Sequence, residues 1–281
     1  MRWTLNEFLW ELKNDPTRRV LFVEGTRDLT FWRHVIPHKD RGDTTIYCID
    51  SINCPDTSGG ERGRLIQFAR EIEKLDLNER VRFFADADCD RILKISLPSN
   101  VFLTDGRDLE SYALITDIAK DVCSTCTTDE NSNAIIDELI ADVARPIGVL
   151  RITSARRELM LPFQKSIHSG KTPRFLTATA TGLALNLAKL LEILLQNAGM
   201  SLSHFTNILG EYEKETVALE AEADYELVHG KDLIRIMAIA FDLSNEHCSD
   251  LIALAMRYEI DVIRALPNLR AAETWVRPSL H

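Results

Sequence analysis

The sequence predicts an α/β fold with two parts: an N-terminal parallel sheet with helices on both faces, and a mostly α-helical C-terminal half. Three observations predict it. Short apolar β-prone runs alternate with helical patterns over about the first 115 residues. Acidic residues follow several of those runs directly. From about residue 113 onward β-prone runs nearly cease, and a period of 3.6 residues takes over. Ligands of such sheets bind at the carboxyl ends of the strands, where these acids are expected.

The elements follow one another in a regular order in the first part. The predicted strands are 20–23, 44–49, 81–84 and 101–103, with helices at 28–35 and 65–72 and a further helix from about residue 108. A loop rich in glycine, serine and proline spans 51–63. In the second part we expect helices at 135–143, 183–195, 233–241 and 251–266, a polar loop at 127–133, and an acidic helix or linker at 211–226. Residues 225–228 fit either a lone strand or the start of a helix. These patterns predict two domains, 1–115 and 116–281.

Composition narrows the class of protein. A chain of 281 residues with 45% hydrophobic residues can bury a substantial core. Its start is interrupted by charged residues, so no signal peptide or membrane span is expected. Six cysteines without the spacing of a small secreted scaffold predict reduced thiols and a cytoplasmic protein.

The net charge of −10 argues against indiscriminate binding of polyanions. Basic residues are nevertheless concentrated in the segment 145–174, where Glu158 is the one acidic residue. Arg151, Arg156 and Arg157 are therefore the candidates for contact with substrate phosphates. The alternative is a solvated helix face balanced by acidic neighbours from elsewhere in the chain.

Carboxylates at the predicted strand ends are the candidates for chemistry. Glu24 closes the first strand, Asp28 lies one helical turn later, Asp86 and Asp88 close the third strand, and Glu110 follows the fourth. Strand alternation is expected to place Asp86 and Asp88 on one side. Converging hard oxygen ligands suit Mg²⁺, with Mn²⁺ as a possible substitute. The alternative is that these acids cap helices or lie in a solvated loop.

Two other motifs are set aside. Residues 169–172 read Ser-Gly-Lys-Thr, like the end of a phosphate-binding loop, but position 165 is Lys165, where that motif requires glycine. Cys123 and Cys126 form a single CxxC pair, which is a weak zinc signal even with His247 and Cys248.

Three short motifs resemble a known family. They are Val23-Glu24-Gly25 followed by Asp28, then Phe84-Ala85-Asp86-Ala87-Asp88-Cys89-Asp90, and then Arg107-Asp108-Leu109-Glu110-Ser111-Tyr112. Together they resemble the TOPRIM pattern of the OLD-like nucleases, and more closely the TOPRIM nuclease effector of the PARIS anti-phage defence system. The resemblance implies that Glu24, Asp86 and Asp88 bind catalytic metal and that Asp28 serves a second metal. Glu110 matches an acidic residue of that family's motif, either as a ligand or as a residue that orders the site.

The resemblance extends more loosely to the segment 228–233. Lys231 in this segment is a candidate for neutralising charge in the transition state. The structural alternative is a turn at Gly230 followed by a helix cap at Asp232.

The resemblance implies a function as well as a fold. It implies a toxic endonuclease that cleaves RNA, such as transfer RNA, or DNA, and that is restrained by an ABC-type ATPase partner. It also implies a homodimer formed through the helical half. Two alternatives stay open: a binding regulator whose TOPRIM scaffold has lost catalysis, and a primase- or topoisomerase-like component, for which the chain lacks a recognisable tyrosine motif or zinc ribbon.

Overall fold

The computed structural model describes residues 2–53, 59–127, 132–168, 173–179 and 182–277. The helices and strands of this part of the chain are, in order, α1 (Leu5–Asn14), β1 (Arg19–Val23), α2 (Thr26–Val35), β2 (Thr44–Cys48), α3 (Gly60–Lys74), β3 (Val81–Ala85), α4 (Asp90–Leu93), β4 (Val101–Leu103), α5 (Tyr112–Ile115), α6 (Ile118–Cys126), α7 (Ser132–Leu139), α8 (Arg145–Arg156), α9 (Phe163–His168), β5 (Leu176–Ala178), β6 (Leu183–Leu185), α10 (Leu187–Asn197), α11 (Phe205–Ala218), α12 (Asp224–Leu227), α13 (Gly230–Ala240), α14 (Asn245–Tyr258), α15 (Ile260–Arg264) and α16 (Pro267–Val276). A π-helical turn at Ile140–Ala144 joins α7 to α8.

The chain divides into two compact units. The first comprises the described residues within Met1–Asp90, Lys94–Asp105 and Ile260–His281, and the second those within Arg91–Leu93 and Gly106–Glu259. A parallel sheet lies in the first unit and helices make up most of the second, which confirms the predicted fold class. The predicted division into domains at residues 115 and 116 stays a prediction.

The sheet of the first unit has four parallel strands in the order β2-β1-β3-β4. All four residues from Val20 to Val23 in β1 have no exposed surface. Alternate residues of a strand face opposite sides of the sheet. A strand without polar residues therefore requires cover on both faces, as in α/β proteins.

Aromatic side chains supply that cover. On one face, Phe22 of β1 packs against Phe8 of α1 and Phe68 of α3, with ring centroids 5.4 and 5.3 Å apart. On the other face, Trp32 of α2 packs edge-on against Phe84 of β3, with centroids 5.1 Å apart. Burial of several large rings stabilises the sheet strongly, because each removes a large apolar area from water. This rigid sheet fixes the positions of the strand ends.

The C-terminal helices α15 and α16 belong to this first unit. The carboxylate of Asp105, just after β4, accepts hydrogen bonds from the backbone N–H groups of Asn268 and Leu269 at 2.7 and 3.0 Å. Those N–H groups lie in the first turn of α16 and have no acceptor within the helix. Asp105 thereby anchors α16 beside β4.

Helix α13 is the most buried helix of the second unit, with eight buried residues among its eleven.

The predicted helix 183–195 begins later than expected, at Leu187. Leu183–Leu185 instead pairs antiparallel with Leu176–Ala178. The apolar residues 183 and 185 fit the periodicity of a strand as well as that of a helix. The presence of a pairing partner therefore decides between strand and helix.

Residues 225–228, for which strand and helix were both open, lie mainly in the short helix α12. None of the described helices is both long and apolar enough to cross a membrane. The tetrapeptide 169–172 and most of the predicted loop 127–133 lie outside the described residues.

Candidate functional site

Glu24 lies at the carboxyl end of β1, beside the end of β3. The parallel register sets Val23 opposite Phe84, so Glu24 comes next to the segment that follows β3. Oε1 of Glu24 accepts a hydrogen bond from the backbone N–H of Asp86 at 3.0 Å, across 62 positions of sequence. The Glu24 side chain is only 15% exposed. The sheet thus brings Glu24 next to Asp86, as their positions at strand ends predicted.

Asp28 occupies the first turn of α2, and its Oδ2 accepts a hydrogen bond from the backbone N–H of Gly25 at 2.8 Å. This contact caps the helix, as the structural alternative for Asp28 proposed. A Cβ built on Gly25 would lie 3.5 Å from Oδ2 of Asp28 and 3.4 Å from Oε2 of Glu61. Two carboxylates therefore converge over the bare backbone of Gly25. Glu61 was not predicted, because it follows a loop rather than a strand.

The segment from Asp86 to Cys89 is a turn and not a continuation of the strand, and α4 begins at Asp90. Strand β3 ends at Ala85, and Asp88 has a left-handed backbone with φ 47°. Strand alternation therefore does not apply to Asp86 and Asp88, and their placement on one side stays a prediction. The turn is held by a hydrogen bond from the backbone N–H of Ala87 to Oγ1 of Thr104 at 2.9 Å.

Arg62 of α3 contacts Glu24 and the turn that follows β3. Its Nε lies 3.1 Å from Oδ2 of Asp88 and 3.7 Å from Oε1 of Glu24, and its Nη2 lies 2.5 Å from Oδ2 of Asp90. Its Nε also donates to the backbone carbonyl of Asp86 at 3.1 Å. Burial alone would lower the pKa of Arg62, but Asp88 and Asp90 outweigh it and raise that pKa. Like Glu61, Arg62 was not predicted from the sequence, where its position early in the helix before β3 was the available signal.

Burial and neighbouring carboxylates both affect the pKa of Glu24. Burial raises the pKa of its carboxyl group to about 8, and the charges of Asp28 and Asp88 act in the same direction. Arg62 and the hydrogen bond from Asp86 oppose the rise. Carboxylates this close cannot all remain ionised unless a cation or a proton offsets them.

Hard carboxylate oxygens at the end of a parallel sheet suit a divalent cation such as Mg²⁺ in kind and in position. Among the residues that the structure describes, however, no three His, Cys, Asp or Glu side chains are gathered so as to hold a metal ion. The guanidinium group of Arg62 lies where the carboxylates converge.

A second polar cluster surrounds Asp108 in the second unit. This fully buried carboxylate accepts hydrogen bonds from the backbone N–H groups of Gly230, at 2.9 Å, and Ser111, at 2.9 Å. Burial raises the pKa of Asp108 to about 7; the charge of Glu110 raises it further, and that of Lys231 lowers it. The predicted residues Glu110 and Lys231 thus both act on Asp108, at the N-terminus of α13. Asp108 lies in the motif of residues 107–112, but the sequence alone does not predict its burial.

Arg151 has a structural partner. Its Nε and Nη2 donate to the two carboxylate oxygens of Asp232, at 2.6 and 2.8 Å, and its guanidinium lies 4.6 Å from the ring centroid of Phe163. Nε2 of His168 lies 3.0 Å from Oδ1 of the same carboxylate. The side chain of Asp232 is 1% exposed, so the carboxylate of this ion pair is buried. Asp232 therefore pairs with side chains and does not act as the helix cap that the sequence allowed.

Arg156 and Arg157 are more exposed, at 44% and 54% of their side chains. Nε of Arg156 lies 3.0 Å from Oε1 of Glu215, and Arg157 pairs with Glu211. Both carboxylates come from α11, in the acidic segment 211–226. Arg151, Arg156 and Arg157 are thus balanced by acidic residues from elsewhere in the chain, and the role of these arginines toward substrate stays a prediction.

The sequence matches no protein-family model, and no curated protein is significantly similar to it.

Proposed function

We propose that this chain is a metal-dependent endonuclease that hydrolyses phosphodiester bonds in RNA, such as transfer RNA, or in DNA. One observation carries the proposal: the Glu24 carboxylate accepts a hydrogen bond from the backbone N–H of Asp86 at the carboxyl edge of a parallel sheet, so the two acidic residues lie side by side there. Asp28 and Asp88 are close enough to raise the pKa of Glu24. This edge is where ligands of such sheets bind.

The chain's own residues have separate roles in this proposal. Glu24, Asp86 and Asp88 are the candidate ligands of Mg²⁺ or Mn²⁺, with Asp28 as the candidate for a second ion. When bound, such an ion activates water and offsets charge on the phosphodiester. Arg62 forms ion pairs with Asp88 and Glu24 and offsets part of their negative charge. In the second unit, Lys231 is a candidate for neutralising phosphate charge, and Glu110 either binds metal or orders Asp108.

The biological setting rests on the resemblance to the PARIS-type TOPRIM effectors. We infer from it a toxic effector of anti-phage defence that forms a homodimer and is silenced by an ABC-type ATPase. A nuclease with these acids is harmful to its own cell unless it is restrained. Light scattering of the isolated protein and a pull-down with the co-expressed ATPase test this part. A strictly monomeric, fully active protein that ignores the ATPase contradicts it and leaves the nuclease proposal standing.

A second candidate is a nucleic-acid-binding regulator on a TOPRIM scaffold without catalysis. The ion pairs of Arg62 with Asp88 and Asp90 favour it, because a fixed guanidinium can replace a metal as the neutralising charge. This candidate requires Arg62 to remain in place when nucleic acid binds.

Cleavage of labelled RNA and DNA by the purified protein, with Mg²⁺, Mn²⁺ or chelator, decides between the two. We expect cleavage with metal only, and its loss in Glu24→Ala with an unchanged or higher melting temperature, because removing one acid relieves repulsion. Asp86→Ala and Asp88→Ala should behave alike, and the double variant should lose little more. Glu138→Ala, at an exposed position of α7, is the control. Binding without cleavage under every metal condition supports the regulator instead.

A further inference from the structure

A basic cleft of about 480 Å³ lies in the C-terminal part of the first unit. Its charged lining consists of three basic and two acidic residues, namely Arg264, Arg270, Arg277, Asp261 and Glu273. The cleft is therefore net basic, although the chain as a whole carries a charge of −10. A local excess of arginine on an acidic protein calls for an explanation by a ligand or by structure.

The cleft is built on fixed elements. Arg270 lies on α16 and Arg277 directly follows the last residue of that helix, and both side chains line the opening. Arg264 comes from α15, and its guanidinium donates to both oxygens of Glu273, with Nε at 3.0 and 3.1 Å. This buried carboxylate joins the two helices. The three arginines are thus held around one opening.

The hydrogen-bond donors of the cleft are not all used within the protein. Nη1 of Arg277 lies 3.3 Å from Oε1 of Glu273, so one carboxylate serves two guanidinium groups. Nε of Arg277 is buried and has no hydrogen-bond partner among the described residues. Nη2 of Arg277 donates to the backbone carbonyl of Val35 at 3.4 Å, so each terminal nitrogen of Arg277 has one N–H engaged and a second N–H left for a ligand. Arg270 is exposed and makes no ion pair with any residue of the described chain.

We propose that this cleft binds a phosphate of the nucleic-acid backbone, through Arg270 and Arg277. The proposal rests on the proposed function in one respect, that nucleic acid is the substrate. The planar guanidinium group matches two phosphate oxygens at once, whereas lysine acts as a point charge. Glu273 occupies Arg264 and one terminal nitrogen of Arg277, which leaves Arg270 and the second N–H of each terminal nitrogen of Arg277 to the ligand. Contacts with phosphate fix the position of a nucleic acid without reading its sequence.

Fluorescence anisotropy with labelled single-stranded and duplex oligonucleotides, in chelator to prevent cleavage, tests the cleft. Arg270→Gln should weaken binding about 3- to 10-fold for every sequence and lower the slope of log Kd against log salt by about 1, as expected for one lost phosphate contact. Arg277→Gln should do the same. Arg257→Gln, at an exposed position of α14 without an ion pair among the described residues, is the matched control and should bind as the wild type does.

The Nε–H resonances of arginine, followed by NMR, give a direct readout. Those of Arg270 and Arg277 should shift on addition of oligonucleotide and, at higher concentration, of inorganic phosphate. A response to inorganic phosphate alone would indicate a small-anion site and overturn the proposal, as would no response at all.

The outcomes separate this proposal from the nuclease proposal. If the wild type cleaves nucleic acid and Arg270→Gln binds as Arg257→Gln does, the cleft is not the binding site and the nuclease proposal stands. If the wild type binds but never cleaves, and Arg270→Gln weakens binding, the cleft is supported and the nuclease proposal fails.

Discussion

Replacing Arg151 with methionine removes the guanidinium group that neutralises Asp232, which is 1% exposed. Methionine keeps an unbranched apolar side chain against Phe163, so the change mainly removes charge and hydrogen bonds. Removing one partner of a buried ion pair typically costs about 3–5 kcal/mol, because the other charge stays buried without compensation. His168 remains 3.0 Å from the carboxylate and can offset part of this loss when protonated. We expect the free energy of unfolding to fall by about 3 kcal/mol at neutral pH.

The pH dependence gives a second test of the same pair. Burial alone would raise the pKa of Asp232, but Arg151 outweighs it and holds that pKa well below its ordinary value of 3.8. A lowered pKa contributes stability above the ordinary value, and this contribution is lost as the pH falls through the folded value. The difference between wild type and Arg151→Met should therefore shrink below about pH 4, since protonated Asp232 no longer needs a counter-charge.

Urea unfolding followed by circular dichroism measures both effects, with Arg156→Met as the matched control on the same helix. The Arg156 side chain is 44% exposed, and exposed ion pairs contribute less than about 1 kcal/mol. A loss of stability in Arg151→Met no larger than that in Arg156→Met would refute the reasoning. A confirmed loss would also mean that Arg151 variants cannot be used to measure contact with substrate.

Two further predictions concern Glu24 and the exposed arginines of the second unit. In chelator, the raised pKa of Glu24 means that its contribution to stability is complete below the ordinary value of 4.5 and is lost as the pH rises toward about 8. Glu24→Gln should match the wild type in melting temperature at low pH and exceed it at pH 8, whereas Glu138→Gln should follow the wild type throughout; a parallel pH profile for Glu24→Gln would contradict the assigned crowding. If Arg156 and Arg157 contact phosphates, changing both to glutamine should lower the salt slope of nucleic-acid binding by about 2; an unchanged slope would leave them as partners of the acidic segment alone.

The order and class of the elements in the first unit could be predicted from sequence because the signals are local. A run such as 20–23 has no polar residue, and glycine and acids mark its end. The same local logic placed Glu24 and Asp86 at strand ends. Their contact follows from the parallel register, which any doubly covered sheet of this kind would provide.

Local signals were insufficient where partners from distant segments compete. Residues 183–185 join a strand because residues 176–178 offer a pairing partner. Asp88 turns away from strand geometry once β3 ends at Ala85. In both places the periodicity fits two conformations, and hydrogen bonds with distant residues select one of them.

The sequence by itself determined the parallel sheet and the placement of acids at its carboxyl edge, because strand propensity, apolar runs and strand-end residues are encoded within a few positions. Only the tertiary structure decided which charges neutralise one another. Arg62 pairs with carboxylates 26 and 28 positions away, and Arg151 with one 81 positions away. Electrostatic pairing depends on distance and burial in the folded chain, and neither quantity can be read from the spacing of charges along it.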